Sequence, residues 1–128
     1  MPYNINWEPK GVYIKWSGKI TRQENLDVNG IIYGDPRFDL LKYQISDILD
    51  SDARALTNTD VKVVASLEAR AAIWNKNLLV AHITIDPKLI KQIKMYEEIM
   101  KESNWRFGIF DHEKDARQWI REELSKEA

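Results

Sequence analysis

The feature that most constrains the fold is the stretch LLVAHITID at residues 78 to 86, a nearly continuous apolar run. A strand with one wet face alternates apolar and polar residues, whereas a strand in the middle of a parallel sheet does not, because both its faces are covered. The run is far shorter than the roughly 20 residues that a membrane-spanning helix needs. We therefore expect a central strand with helices packed on both sides of its sheet.

Helical segments flank this run. The segment from Thr59 or Asp60 to Asn75 has the length and alanine content of a helix, and Thr57 and Asp60 have the spacing of a capping box. The next helix, 87–103, begins with a proline, which suits the first helical position, and Asp86 precedes it as a cap. Its apolar residues recur at the spacing that packs a helix on a sheet: Leu89, Ile93, Tyr96 and Met100.

The N-terminal part predicts a hairpin followed by a short helix. Residues 5–7 and 12–16 are rich in β-forming side chains, and the intervening EPKG suits a tight reversal. Thr21 and Glu24 have capping-box spacing, so we expect a helix from there to about Tyr33.

The rest of the chain repeats the alternation of strand and helix. GDPRFD is a turn, and residues 42–49 form a strand that we expect to end near Asp47. Residues 105–110, WRFGIF, form the last strand, and we expect Asp111 to cap the last helix. This order predicts an α/β fold, with a mixed, mostly parallel five-stranded sheet, an antiparallel N-terminal edge hairpin and about four packing helices.

The composition excludes several classes of function. A length of 128 residues with 44% hydrophobic side chains fits one domain, residues 1–128. Nineteen basic against twenty acidic residues give a net charge of -1, so we expect no nucleic-acid partner. The absence of cysteine excludes disulfides, thiolate chemistry and sulfur-ligated zinc. Because the start lacks the order of a signal peptide and no apolar run could cross a bilayer, we expect a cytoplasmic protein.

Four stretches resemble the bacterial SpoIIAA-like proteins, a group related to STAS domains and to CRAL-TRIO lipid-transfer domains. They are GDPRFDLLKYQISDIL, VVASLEARAA, LLVAHITID and FGIFDHEKDARQWI, within residues 35 to 120 approximately. The resemblance implies the same α/β fold, but no specific activity. In STAS anti-sigma-factor antagonists, a helix begins with Asp-Ser-Ser-Gly, and its serine is phosphorylated. This chain has TNTDV there, with Thr59 near the acceptor position, so the motif itself is absent.

Three aspartates follow predicted strands: Asp47, Asp86 and Asp111. In open α/β sheets, ligands bind beyond the carboxyl ends of the strands, where three acids could hold Mg²⁺. Asp86 and Asp111 directly precede helices, however, so capping is the favoured interpretation and we predict no metal or other cofactor. Asp47 has no evident capping role, which makes it a candidate ligand-binding residue, although a solvated loop carboxylate is more common.

Glu68 is anomalous because it lies near the middle of the apolar arc of its helix. In one interpretation it is a polar group in an otherwise apolar ligand pocket, lined by Tyr33, Phe38 and Trp74. In the favoured alternative it is a structural residue that accepts a hydrogen bond from an indole N–H or a tyrosine hydroxyl, or the helix is rotated so that the carboxylate reaches water. Burial would raise its pKa.

The sequence contains no recognisable catalytic motif. We expect His82 to be a core imidazole with its polar atoms satisfied, and His112 to be solvated in the first turn of a helix. Asp47 and Glu68 are the only plausible acid–base pair, so we expect the protein not to be an enzyme.

Two classes of function therefore remain. The first is a regulatory or protein-interaction module without catalysis, whose partner docks near the 50–60 loop and the following helix. Phosphorylation of Ser51, Thr57 or Thr59 could control this docking. The second is a binder or carrier of a small apolar or lipid-like ligand, as the CRAL-TRIO relationship implies.

A possible partner surface lies on the helix 87–103. Met95 and Ile99 project away from its core stripe, so they could meet a protein partner, although a covering loop or the N-terminal segment of the chain would also explain them. Either a monomer or a homodimer is consistent with this sequence.

Overall fold

The computed structural model describes residues 3–127, so three residues of the predicted domain, Met1, Pro2 and Ala128, lie outside the described residues. The strands are β1 (Tyr3–Trp7), β2 (Gly11–Lys19), β3 (Tyr43–Asp52), β4 (Leu79–Ile83) and β5 (Arg106–Phe110). The helices are α1 (Arg22–Tyr33), α2 (Asn58–Ala71), α3 (Pro87–Ile99) and α4 (Glu113–Ser125), and a 3-10 turn occupies Pro36–Leu40.

The strands form one sheet in the order β1-β2-β3-β4-β5. The β1–β2 pair is antiparallel, and every other neighbouring pair is parallel. The predicted α/β fold, with its edge hairpin, mostly parallel sheet and four helices, is confirmed. Because right-handed crossovers between sequential parallel strands put their helices on the same side, α1, α2 and α3 share one face of the sheet.

Two apolar clusters cover the two faces of the sheet. The larger one joins α1, α2 and α3 to residues such as Ile14 and Val80. The smaller one joins Ala116 and Ile120 of α4 to residues such as Ile45 on the opposite face. Strands β3 and β4 are covered on both sides, which explains why LLVAHITID lacks alternation.

Strand β3 extends beyond its predicted end near Asp47. Its pairing with β4 does stop there, where Asp47 lies opposite Ile83. Beyond Asp47, β3 continues to pair with β2 as far as Asp52. The register of this pairing shifts between Lys15 and Ser17 of β2. The prediction of the end was wrong because β2 is longer than β4 and provides backbone partners for these additional residues.

The capping residues predicted from the sequence are confirmed at three of the four described helices. Thr21 caps α1, Thr57 and Asp60 form a reciprocal capping box at α2, and Asp86 accepts a 3.0 Å hydrogen bond from the Lys88 amide at α3. The predicted cap Asp111 was wrong. His112 occupies the N-cap position of α4 and makes no side-chain capping bond, because β5 ends at Phe110 and the helix begins only at Glu113.

Within residues 3–127, no helix combines the length and the apolar character that crossing a bilayer requires.

Candidate functional site

A cavity of about 90 Å³ lies between the sheet and the three helices α1, α2 and α3. The apolar part of its wall includes Ile14, Trp16 and Ile48 from the sheet, and Val28, Val64 and Ile93 from the helices. Side chains of β3 and β4 alternate between the two faces, so Gln44, Ser46 and His82 point to this side. The polar part of the wall comprises Asn25, Asn29, Gln44, Ser46, Glu68, His82, Gln92 and Tyr96.

Glu68 is buried in this wall, with 7% of its surface exposed. One carboxylate oxygen accepts a 2.7 Å hydrogen bond from the Tyr96 hydroxyl, and the other accepts a 3.4 Å bond from the Asn29 amide. Burial raises the pKa of Glu68, and the hydrogen bonds partly oppose this effect. The predicted tyrosine partner of the carboxylate is therefore present.

Three buried polar atoms of the wall have no hydrogen-bond partner within residues 3–127: Gln44 Oε1, His82 Nδ1 and Gln92 Oε1. The Gln92 amide orientation is fixed, because its Nε2 donates a 2.9 Å hydrogen bond to the Leu56 carbonyl. Its Oε1 is consequently an acceptor that remains free. Buried polar groups normally have partners, since an unsatisfied one costs about 1–3 kcal/mol. The expectation that His82 would be a satisfied core imidazole was wrong.

His82 packs edge-to-face against the Tyr96 ring, with centroids 5.6 Å apart. Desolvation lowers the pKa of His82 to about 4, so the imidazole is neutral at neutral pH. A neutral imidazole has one donor and one acceptor nitrogen, so it can bind a ligand of either kind.

The predicted aromatic lining lies apart from Glu68. Phe38 is fully buried against Tyr33, at 4.7 Å between ring centroids, and Trp74 is 76% exposed. These three residues share a surface groove with Leu67 and Arg70, on the other side of α2 from the cavity. Of the three, only Tyr33 brings its polar atom near Glu68: its hydroxyl is buried without a well-formed hydrogen bond among the described residues. Burial raises the pKa of this hydroxyl, and the negative charge of the Glu68 carboxylate adds to the effect.

Asp47 lies on the opposite face of the sheet from the cavity. It is buried at 4% exposure, accepts a hydrogen bond from the Tyr13 hydroxyl, and forms a 3.3 Å ion pair with Lys15. The prediction of a solvated loop carboxylate was wrong, because β3 continues past this position and α4 covers it. Since Asp47 and Glu68 lie on different faces, they do not form the suggested acid–base pair.

The predicted phosphorylation candidates lie at the N-terminal end of α2 and before it. Thr57 and Thr59 are exposed, and the Thr57 hydroxyl accepts the capping bond from the Asp60 amide at 3.0 Å. Ser51 is half-buried and donates a 2.7 Å hydrogen bond to the Ile48 carbonyl. Of the three, Thr59 has the exposed side chain without a structural hydrogen bond among those described.

The predicted partner patch on α3 is not a free surface. Met95 and Ile99 are half-buried and pack against the larger apolar cluster. Their predicted orientation away from the core was wrong, because the core side of α3 is wider than the single stripe identified in the sequence.

Sequence reasoning missed Gln44 and Gln92 as site residues. Gln92 is flanked by Leu89, Ile93 and Tyr96 on the buried side of α3, a position where a polar residue requires an explanation. Gln44 alternates with apolar neighbours and therefore resembled a solvent-facing strand residue. Only the covering of β3 on both faces makes it a buried polar group.

Residues 3–127 contain no group of three or more histidine, aspartate or glutamate side chains positioned to hold a metal ion. The cavity wall instead combines hydrogen-bonding side chains with apolar surface, an arrangement typical of sites for small organic ligands.

Comparison with known proteins identifies the fold. No family profile matches the chain, and no curated protein matches it. A solved structure of similar fold is that of an uncharacterised protein from the DUF3478 family with a SpoIIAA-like fold, from Shewanella loihica. The TM-score is 0.60 at 15% sequence identity, covering 92% of this chain and 91% of the other. This chain therefore has a SpoIIAA-like fold, as its sequence stretches predict.

Proposed function

We propose that this protein is a non-enzymatic binding domain whose cavity beneath α1, α2 and α3 holds a small ligand. The observation that supports this most strongly is the free acceptor of Gln92, a residue only 3% exposed. Its other amide atom is already bonded to the Leu56 carbonyl at 2.9 Å, so turning the amide over would break that bond. A partner inside the cavity satisfies the free oxygen without that loss.

The dimensions of the cavity agree with this proposal. At about 90 Å³ it exceeds the roughly 30 Å³ that one water occupies in the liquid, so it has room for a few waters or for one small molecule. It is smaller than the roughly 150 Å³ cavity known to admit benzene, so a ligand has on the order of five non-hydrogen atoms within it. A long lipid chain does not fit this space, so the proposed ligand is smaller and more polar than the apolar or lipid-like molecule of the second class of function considered from the sequence.

The position of the cavity also suits binding. It lies over the middle of β3, which contributes Gln44, Ser46 and Ile48, and near the carboxyl end of β4, which contributes His82. Ligands of open α/β sheets bind beyond the carboxyl ends of the strands. The extension of β3 and the segment containing Ala53 and Leu56 close this end of the cavity.

Native mass spectrometry tests the proposal. The protein is purified gently, and its mass is recorded before and after denaturing extraction. We expect a small bound molecule on the wild type and its loss in Ser46→Leu, which fills the cavity. Ser66→Leu is the matched control, since it makes the same change at an exposed position of α2 and should keep the molecule.

A bare polypeptide in every sample, together with no small molecule perturbing the NMR signals of cavity residues, would disprove ligand binding. Circular dichroism and thermal unfolding of Ser46→Leu establish that the variant remains folded, so that loss of the ligand is attributable to the filled cavity.

A second candidate is a protein-interaction module, and the exposed apolar side chains around α2 favour it. Val63 and Leu67 on α2 are 38% and 37% exposed, and Ile73 and Trp74 after its end are 67% and 76% exposed. Such patches frequently mark protein contacts. Replacing Trp74 and Ile73 with serine should leave ligand binding in the cavity unchanged but should reduce any self-association seen by analytical ultracentrifugation.

A further inference from the structure

We propose that the ligand of this cavity is a compact amine, bound through its ammonium group to Glu68. This inference rests on the proposed function and identifies the chemical class of the molecule. Its starting point is the charge of the wall: among the described residues that line the cavity, Glu68 is the single acid, and none is a lysine or an arginine.

The present partners of Glu68 are neutral. The Tyr96 hydroxyl bonds one oxygen at 2.7 Å, and the Asn29 amide bonds the other at 3.4 Å, which is long for a hydrogen bond. The Tyr33 hydroxyl, which is also neutral, lies near the same carboxylate. A carboxylate removed from water either takes up a proton or pairs with a cation. An ammonium group in the cavity supplies both the missing charge and a stronger donor for the poorly satisfied oxygen.

The other polar atoms of the wall favour a donor-rich ligand as well. Gln92 Oε1 is an acceptor, and an ammonium group has three N–H donors to distribute among such oxygens. An alcohol has one donor and no charge, and a carboxylate ligand has only acceptors and would be repelled by Glu68. The wall therefore selects against anions and prefers amines to alcohols.

The apolar and aromatic surfaces complete the site. The rings of Trp16 and Tyr96 line the cavity, and aromatic faces attract cations. Ile14, Val64 and Ile93 provide surface for a short branched hydrocarbon group. The preferred molecule is thus a primary amine whose hydrocarbon group has about four carbon atoms.

Three probes of similar shape test the chemical class: isobutylamine hydrochloride, isobutanol and sodium isobutyrate. Each is titrated into the ¹⁵N-labelled full chain at neutral pH and equal ionic strength, and amide shifts of residues around the cavity are followed. We expect isobutylamine to bind about tenfold more tightly than isobutanol, because a charged hydrogen bond is stronger than a neutral one. Isobutyrate should cause no shift at these residues.

Glu68→Gln keeps the size of the side chain and removes its charge. We expect it to abolish the tenfold preference for isobutylamine and to leave isobutanol binding within about twofold of wild type. Glu68→Asp retains the charge and should retain a preference for isobutylamine. This variant controls for the possibility that any substitution at position 68 disturbs the fold. Ser46→Leu should block both isobutylamine and isobutanol.

The outcomes separate the two proposals. The proposal that the ligand is an amine is wrong if isobutanol or isobutyrate binds as tightly as isobutylamine, or if the preference for isobutylamine survives Glu68→Gln. Either result still supports ligand binding in the cavity. If none of the probes binds, the molecule released in native mass spectrometry decides: one with a basic nitrogen supports the amine, and one without it overturns the amine alone. If there is no released molecule either, both proposals are wrong.

Discussion

The guanidinium of Arg117 bonds both carboxylate oxygens of Glu8, at 3.0 and 2.7 Å, across 109 positions of sequence. The same side chain bonds Glu113 at 2.7 Å, one turn earlier on α4. Arg117 also holds the pKa of the Glu8 carboxyl below its ordinary value. This pair connects α4 to the turn of the N-terminal hairpin, so it fixes the last helix on its face of the sheet.

We predict that Arg117→Met lowers the free energy of unfolding by about 1–2 kcal/mol, since both carboxylates lose a partly buried cationic partner. Urea denaturation measures the change. The matched control is Lys101→Met, which removes a 2.8 Å ion pair with Glu98 at a mostly exposed site and should lower the free energy of unfolding much less than Arg117→Met does. Equal effects of the two substitutions would show that Arg117 contributes no more than an ordinary surface charge.

We predict that the contributions of Tyr96 and Glu68 to stability are coupled. Tyr96→Phe removes the hydroxyl that bonds the carboxylate at 2.7 Å and should destabilise the unliganded protein by about 1–3 kcal/mol. A double-mutant cycle with Glu68→Met, which removes both acceptor oxygens, is measured by urea denaturation at neutral pH and isolates the interaction between these two side chains. Additive effects within about 0.3 kcal/mol would mean that the hydrogen bond contributes little to stability.

His82 is predicted to make the protein less stable in mild acid. Its pKa falls from 6.5 to about 4 on folding, so between these values the unfolded chain binds more protons than the folded one. Stability therefore decreases as pH falls through this window, by up to about 1.4 kcal/mol per pH unit, and the loss is complete below pH 4. Above 6.5 the imidazole is neutral in both states and contributes no pH dependence.

Denaturation from pH 7.5 to pH 4 tests this contribution in the Glu68→Gln background, with and without His82→Gln. The background matters because the raised pKa of Glu68 acts in the opposite direction, stabilising the folded state as pH falls through its folded pKa. His82→Gln should flatten the pH dependence. The same slope with and without His82 would contradict the lowered pKa of this half-buried imidazole.

Two glycines are predicted to respond oppositely to alanine. A Cβ at Gly11 would lie 2.3 Å from the ring of Tyr43, whose hydroxyl donates to Glu8, so the ring cannot move freely. Gly11→Ala should therefore cost about 1–3 kcal/mol. At Gly30, inside α1, a Cβ meets no atom within 4 Å, so Gly30→Ala should stabilise by about 0.5–1 kcal/mol.

Thermal unfolding of the two alanine variants, followed by circular dichroism, measures the change in stability of each. We expect a lower melting temperature for Gly11→Ala and a higher one for Gly30→Ala. If Gly11→Ala were neutral, the Tyr43 ring would have to be adaptable, and the hairpin would not depend on its close approach.

The sequence determined the element order because local signals encode it. Thr57 and Asp60 form a capping box from local spacing alone, Pro87 suits the start of a helix, and the nearly continuous apolar run of β4 indicates covering on both faces. The α/β alternation then limits the topology, since crossovers are right-handed. The anomaly of Glu68 was also visible, because helical periodicity places it among apolar neighbours.

Tertiary structure alone decided which polar residues share a site. Gln44, His82 and Gln92 come from three different elements, and no spacing in the sequence relates them to Glu68. Asp47 and Gln44 are three positions apart on one strand yet face opposite sides of the sheet, because side chains alternate along a strand. Burial on both faces and the sequence-distant packing of helices on the sheet create the cavity, and neither is a local property of the chain.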